Sequence, residues 1–105
     1  MPLHDLLAGR TIVVTGAATG IGQAFAIGAA AQGANVVVAD MNAADETVAA
    51  IEAGGGKALA VRVDVADDAS VQAMAAAALQ RFGRIDGLVN NAAYGLTLIS
   101  RTRQD

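Results

Sequence analysis

A glycine-spaced turn and one carboxylate are the groups in this chain whose types and spacing suit chemistry. The turn reads Thr15-Gly16-Ala17-Ala18-Thr19-Gly20-Ile21-Gly22 and lies between a β-branched run and an amphipathic stretch. One glycine permits a tight strand-to-helix turn, and a second lets backbone approach a pyrophosphate with no Cβ in the way. A third lets the helix pack closely on the strand. N–H groups at the start of that helix then face the phosphates, aided by the helix dipole. The carboxylate is Asp40, at the end of the next apolar run. There it is placed to accept both hydroxyls of an adenosine ribose and to repel a 2′-phosphate. Neither Thr19 nor Met41 supplies the cation that a 2′-phosphate needs, so the pattern favours NAD over NADP. Glycines also serve ordinary turns, and an aspartate can merely solvate a strand end. The order strand, glycines, helix, strand, acid is what carries the reading.

Positioning these groups takes an α/β framework. Thr11–Thr15 reads as a strand ended by Gly16. A helix over 21–32 follows, with Ile21, Ala24, Phe25 and Gly28 on one face and Gly33 as its stop. Asn35–Asp40 is a second, buried-type strand. Asn42 is placed to cap a second helix that carries Asp45 and Glu46 in its first turn and turns Ala44, Val48 and Ile51 inward. Glycines 54–56 end it. A third strand is expected over 57–65. Asp67 and Asp68 lead a third helix whose inward residues are Val71, Met74, Ala75, Ala78, Leu79 and Phe82, and a fourth strand spans 85–90. The order βαβαβαβ with short connections predicts a Rossmann-type parallel sheet with right-handed crossovers, the three-layer half of a doubly wound domain. Residues 1–105 read as one dinucleotide-binding half-domain, with no second domain, linker or fixed repeat.

Composition narrows the function classes. Hydrophobic residues make up 54% of the 105 positions while aromatics reach 3%, a mix suited to closely apposed helices on a sheet and too apolar for a disordered chain. A net charge of -3 lacks the basic footprint of a nucleic-acid binder. The absence of cysteine excludes disulfides, thiolate metal sites and a cysteine nucleophile, and a single histidine, His4, excludes a histidine metal cluster. The first nine residues do not read as a secretory signal. The long uncharged stretch over 12–35 is interrupted by glycines and small polar residues and reads as buried soluble structure, not a membrane span. A cytoplasmic protein without membrane or nucleic-acid partners is expected.

Taken with their order, these motifs resemble the short-chain dehydrogenase/reductase family in its single-domain branch. Thr15-Gly16-x-x-x-Gly20-Ile21-Gly22 has that branch's glycine spacing. Asp64-Val65, at the end of the third strand, resembles the pair beside the adenine. Arg84-Ile85-Asp86-Gly87-Leu88-Val89-Asn90-Asn91-Ala92 resembles the fourth strand and its Asn-Asn-Ala-Gly motif. The resemblance implies that backbone around Gly16, Thr19, Gly20 and Ile21 holds ribose and pyrophosphate, with Gly22 completing the motif. Asp40 would bind the adenosine ribose, Asp64 and Val65 would flank the adenine, and Asn91 would reach the cofactor through its backbone. Thr15 and Asn90 would brace the first and fourth strands. Ala93 stands where the motif has its final glycine, and its methyl group would either crowd the nicotinamide half of the site or be absorbed by a small loop shift.

The family's chemistry uses a serine and a Tyr-x-x-x-Lys pair, in which the lysine's charge lowers the pKa of a tyrosine acting as general acid/base. Here the one tyrosine, Tyr94, is followed four residues later by Leu98, and the one lysine, Lys57, opens the third strand. Ser70 starts a helix and Ser100 lies in the terminal tail. No catalytic residue is therefore assigned within this chain. The resemblance implies a parent polypeptide of roughly two hundred and fifty residues. That parent would act on a small alcohol or carbonyl by hydride transfer with NAD, and would form a homo-oligomer. A different class of reading is a non-catalytic dinucleotide-binding module that assembles with a partner chain. A Rossmann-like methyltransferase is a third, disfavoured by Asp64-Val65 and by Asn90-Asn91-Ala92.

Overall fold

Four short β-rich runs pair into one parallel sheet in the computed structural model, which describes residues 5–91. The elements are β1 (Thr11–Thr15), α1 (Gly20–Ala31), β2 (Asn35–Asp40), α2 (Asp45–Ala53), β3 (Lys57–Arg62), α3 (Asp68–Phe82) and β4 (Gly87–Asn90). The sheet order is β3-β2-β1-β4, and every pairing is parallel. The chain thus steps outward from β1 to β3 and then returns across β1 to β4. That reversal makes a switch point at the carboxyl ends of β1 and β4, where the connecting loops diverge and leave a crevice.

Strand alternation divides the core between two faces. Val14, Val36 and Val38 pack with Ala26, Ala29 and Ile51 on the side of α1 and α2. Val13, Val37 and Ala39 pack with Val63, Met74 and Ala78 on the side of α3. Val36, Val37 and Val38 are fully buried, and burial of each contributes about 1.5–2 kcal/mol of transfer free energy. The three-layer arrangement expected from the element order is present.

Several local expectations need correction. Helix α1 buries Gly22, Ala26 and Ala29, whereas Ile21 is 76% and Phe25 50% exposed. The helix is apolar all round, so periodicity alone does not choose its face. Close approach to the sheet selects the small-residue row. Helix α2 is preceded by Ala44 with no side-chain cap, and Asn42 instead donates its N–H to Asp40 Oδ1 at 2.9 Å. Strand β3 stops at Arg62, short of Val65, because the chain then turns: Asp64 N–H donates to Ser70 Oγ (2.9 Å), and Asp64 Oδ1 accepts Ala66 N–H (3.0 Å). On α3, Met74 and Ala78 are buried, but Leu79 is 49% exposed. Asp67 caps that helix by accepting Ala69 N–H, and Gly83 closes it with φ 80°.

Strand β4 begins at Gly87, two residues later than expected, because Asp86 substitutes its side chain for a ladder partner. Its carboxylate accepts Thr11 N–H at 2.8 Å while its own N–H donates to Thr11 O at 2.8 Å. Arg84 grips the same carboxylate through Nε (2.8 Å) and Nη2 (2.7 Å), with Arg10 at 3.7 Å. The Arg84 hydrogen bond, reinforced by Thr11 N–H, holds the Asp86 carboxyl below the usual carboxylate range. This cluster lies at the amino end of β1, opposite the crevice.

Candidate functional site

The loop from β1 to α1 owes its shape to glycines with different tasks. Gly16 and Gly20 adopt φ 67° and 63°, which side-chain-bearing residues rarely do. A Cβ on Gly20 would meet nothing within 4 Å, so its side opens on the crevice. Gly22 is constrained by contact instead: a Cβ there would run into the carbonyl oxygen of Gly16 and stand 2.8 Å from Asn91 Nδ2. Gly22 therefore sits behind the loop and lets α1 close onto it. Thr19 precedes the first turn of α1 without bonding its N–H groups, and no acidic residue occupies that turn. The positive end of α1 accordingly keeps its attraction for an anion.

A groove of about 440 Å³ opens over this loop. Gly16, Thr19, Gly20 and Ile21 form one wall, Asp40, Met41 and Asn42 the end of β2, and Val63 and Val65 the apolar far side, with Asn91 at the switch point. Asp40 accepts Ala18 N–H at Oδ2 (2.9 Å) and Asn42 N–H at Oδ1 (2.9 Å). Among the described residues no arginine or lysine pairs with it. Each carboxylate oxygen retains acceptor capacity beyond the one N–H it takes.

Asn90 and Asn91 are tied to β1 through one hydroxyl. Thr15 Oγ1 is 2.8 Å from Asn90 Oδ1 and accepts Asn91 N–H at 3.0 Å. Asn91 thus spends its N–H on the scaffold while the residue lines the groove. Asp64 does not line the groove; it faces an adjoining depression with Met41, Arg62, Val63 and Ser70. The structure gathers Gly16, Thr19, Gly20, Ile21, Asp40, Val65 and Asn91 around one space, with Gly22 behind it and Asp64 beside it. Met41, Asn42 and Val63 were not anticipated there. The strand periodicity of Val61, Val63 and Val65 was the available signal for Val63. Ser70 is engaged with Asp64, and Lys57 begins β3 at the opposite end of the sheet. His4, Ala92, Ala93, Tyr94, Leu98 and Ser100 lie outside the described residues. Among those described, no set of His, Cys, Asp or Glu is arranged to hold a metal ion, and no helix is long and apolar enough to cross a membrane.

Comparison with known proteins agrees with this fold. The family model described as short chain dehydrogenase matches residues 10–104. An L-rhamnose 1-dehydrogenase (NAD(P)(+)) of Sphingomonas sp. (strain SKA58) is 49% identical over 90 residues, 83% of this chain and 35% of the relative. Glucose 1-dehydrogenase 2 of Bacillus subtilis (strain 168) is 42% identical over 95 residues, 88% of this chain and 37% of the relative. The crystal structure of a hydroxysteroid dehydrogenase from Escherichia coli superposes with a TM-score of 0.81 at 42% identity, covering 84% of this chain and 38% of that one. A short chain dehydrogenase from Mycobacterium smegmatis gives 0.82 at 38% identity, covering 90% and 41%. The chain spans little more than a third of the length of these two curated relatives. With a family model matched over residues 10–104 and solved relatives superposing at TM-scores of 0.81 and 0.82, the chain belongs to the short chain dehydrogenase family.

Proposed function

We propose that this chain forms the dinucleotide-binding part of an oxidoreductase that interconverts an alcohol and a carbonyl, and that it takes NAD in preference to NADP. The observation that carries the reading is Asp40, a carboxylate with no cation partner among the described residues, at the rim of a groove whose other wall is the glycine loop. The residues fit such a cofactor. The open side of Gly20 and the uncapped start of α1 suit a pyrophosphate, Asp40 suits ribose hydroxyls, and Val63 and Val65 suit an adenine face. When bound, the nicotinamide supplies the hydride acceptor or donor. The chain's own residues bind and orient: loop N–H groups neutralise phosphate charge, Asp40 selects the unphosphorylated ribose, and Thr15 holds Asn91 at the nicotinamide end.

The names of the relatives support the alcohol–carbonyl class, since they describe dehydrogenases of sugars and hydroxysteroids. No catalytic residue is assigned within this chain. The complete protein is proposed to be a cytoplasmic homo-oligomer. Phe25, Leu79 and Leu88 are exposed apolar side chains that further contacts would cover. The test is calorimetric titration with NAD and with NADP, followed by Asp40→Ala. The preference for NAD is expected to shrink by about tenfold or more in the variant, the scale of hydrogen bonds to a charged group. Equal affinities for the two dinucleotides in the unmodified protein would refute the role given to Asp40.

A further inference from the structure

Thr47 is a polar residue on the inward face of α2 and is fully buried, with 0% of its surface exposed. Its hydroxyl donates to the Ala17 carbonyl at 2.8 Å and accepts Gln23 Nε2–H at 3.0 Å. Gln23, on the first turn of α1, also donates to the Ala18 carbonyl at 3.2 Å. The Ala17 carbonyl and the Ala18 N–H are the two ends of one planar trans peptide. Thr47 grips the oxygen end, and Asp40 Oδ2 accepts the N–H end at 2.9 Å. In a trans peptide those two bonds point in opposite directions, so a plane held at its oxygen cannot turn its N–H away from Asp40. Gln23 holds the next peptide in the same way, and that peptide's N–H belongs to Thr19 on the groove wall.

We infer that Thr47, seconded by Gln23, is a positioning residue for dinucleotide binding: from behind the glycine loop it fixes the peptide plane that aims Asp40 and orients the loop's N–H groups. Thr47 touches no ligand itself and acts through the Ala17–Ala18 peptide. This rests on the dinucleotide reading of the groove and adds to it a set of residues outside the groove that sets affinity and selectivity.

The test compares Thr47→Val, which keeps the shape and removes the hydroxyl, with Thr47→Ser, which keeps the hydroxyl and removes a methyl. NAD, NADP and ADP-ribose are titrated calorimetrically, with thermal unfolding measured in parallel. ADP-ribose carries the adenosine, ribose and pyrophosphate without the nicotinamide, and so reports on this half of the groove. Thr47→Val is expected to weaken NAD and ADP-ribose by about tenfold, the equilibrium scale of one hydrogen bond. It should also narrow the NAD-to-NADP ratio, and Thr47→Ser should restore both. A role in packing alone predicts the reverse order, with valine binding normally and serine impaired, and that result would overturn the inference. If Thr47→Val does not fold, Gln23→Met replaces it: weakened ADP-ribose binding supports the inference, and unchanged binding overturns it. Failure of the unmodified protein to bind any of the three ligands would instead remove the dinucleotide reading, and this inference with it.

Discussion

Two aspartates at opposite ends of the sheet show how one side-chain type is put to different uses. At the amino end of β1, Asp86 is gripped by Arg84 through two nitrogens, approached by Arg10 and hydrogen-bonded by Thr11 N–H. Its charge is neutralised within the protein, and its carboxyl is held below the usual range. At the carboxyl end of β2, Asp40 accepts two backbone N–H groups and, among the described residues, has no cation partner. Backbone donors fix an orientation without cancelling the charge, which leaves Asp40 able to attract hydroxyls and repel phosphate. The difference separates a carboxylate that closes the sheet from one that keeps its charge beside the groove, where we propose that it meets a ligand. Both lie near solvent, so partner chemistry makes the distinction.

The sharpest way to break this contrast is to disturb the ligand end alone. Gly22→Ala should cost about 3 kcal/mol, because a methyl cannot share space with the Gly16 carbonyl. Denaturant unfolding should report that loss, with dinucleotide binding abolished. Thr15→Val should cost about 2 kcal/mol by leaving Asn91 N–H without its acceptor, and calorimetry should find weaker NAD binding. Asp67→Ala removes the α3 cap outside the groove and should cost about 1 kcal/mol with dinucleotide affinity unchanged.

The smallest effect is expected at the opposite end. Asp86→Asn should lower the unfolding midpoint modestly at neutral pH, since partly exposed ion pairs contribute little. A depressed carboxyl pKa stabilises the fold above the carboxylate's unfolded pKa, and that contribution fades as pH falls through the folded value. The gap between the wild type and Asp86→Asn should therefore close in acid, which thermal melts across pH will read. If Asp86→Asn impaired NAD binding as much as Thr15→Val does, the two ends could not be treated as separate.

Much of the framework was legible because its cues were local. The valine runs placed β1 and β2 at their observed limits, and the glycine spacing with Asp40 marked the crevice. What failed needed knowledge of neighbours. Ile21 and Phe25 share helical spacing with the small-residue row of α1, and only the distance to the sheet decides between them. Asn42 is a good capping residue by type, but α2 starts at Asp45 behind Ala44, so Asn42 lies too early to cap it. Asp86 reads as a strand residue until its side chain is seen bonded to Thr11 N–H. Thr47 was not among the inward residues expected for α2, because a polar side chain is buried only where it finds partners. Its partners, the carbonyl of Ala17 and the amide of Gln23, come from segments that only the fold brings together.

The connection of β1 to β4 also has a consequence in time. Thr11 and Asp86, like Thr15 and Asn90, are 75 residues apart in the chain, whereas β1 meets β2 across a single helix. A ribosome adding about 5–20 residues per second needs roughly 4–15 seconds to make that intervening length. During this interval β1, β2 and β3 can already be paired, while the other edge of β1 has no strand to receive. Among the described strands, the two hydrogen-bonded clasps at the ends of β1 are consequently the last joints to close. Until they do, a valine-rich edge stands open to any other nascent strand, so slowing synthesis between α2 and β4 should lengthen exposure to misassembly more than slowing it earlier.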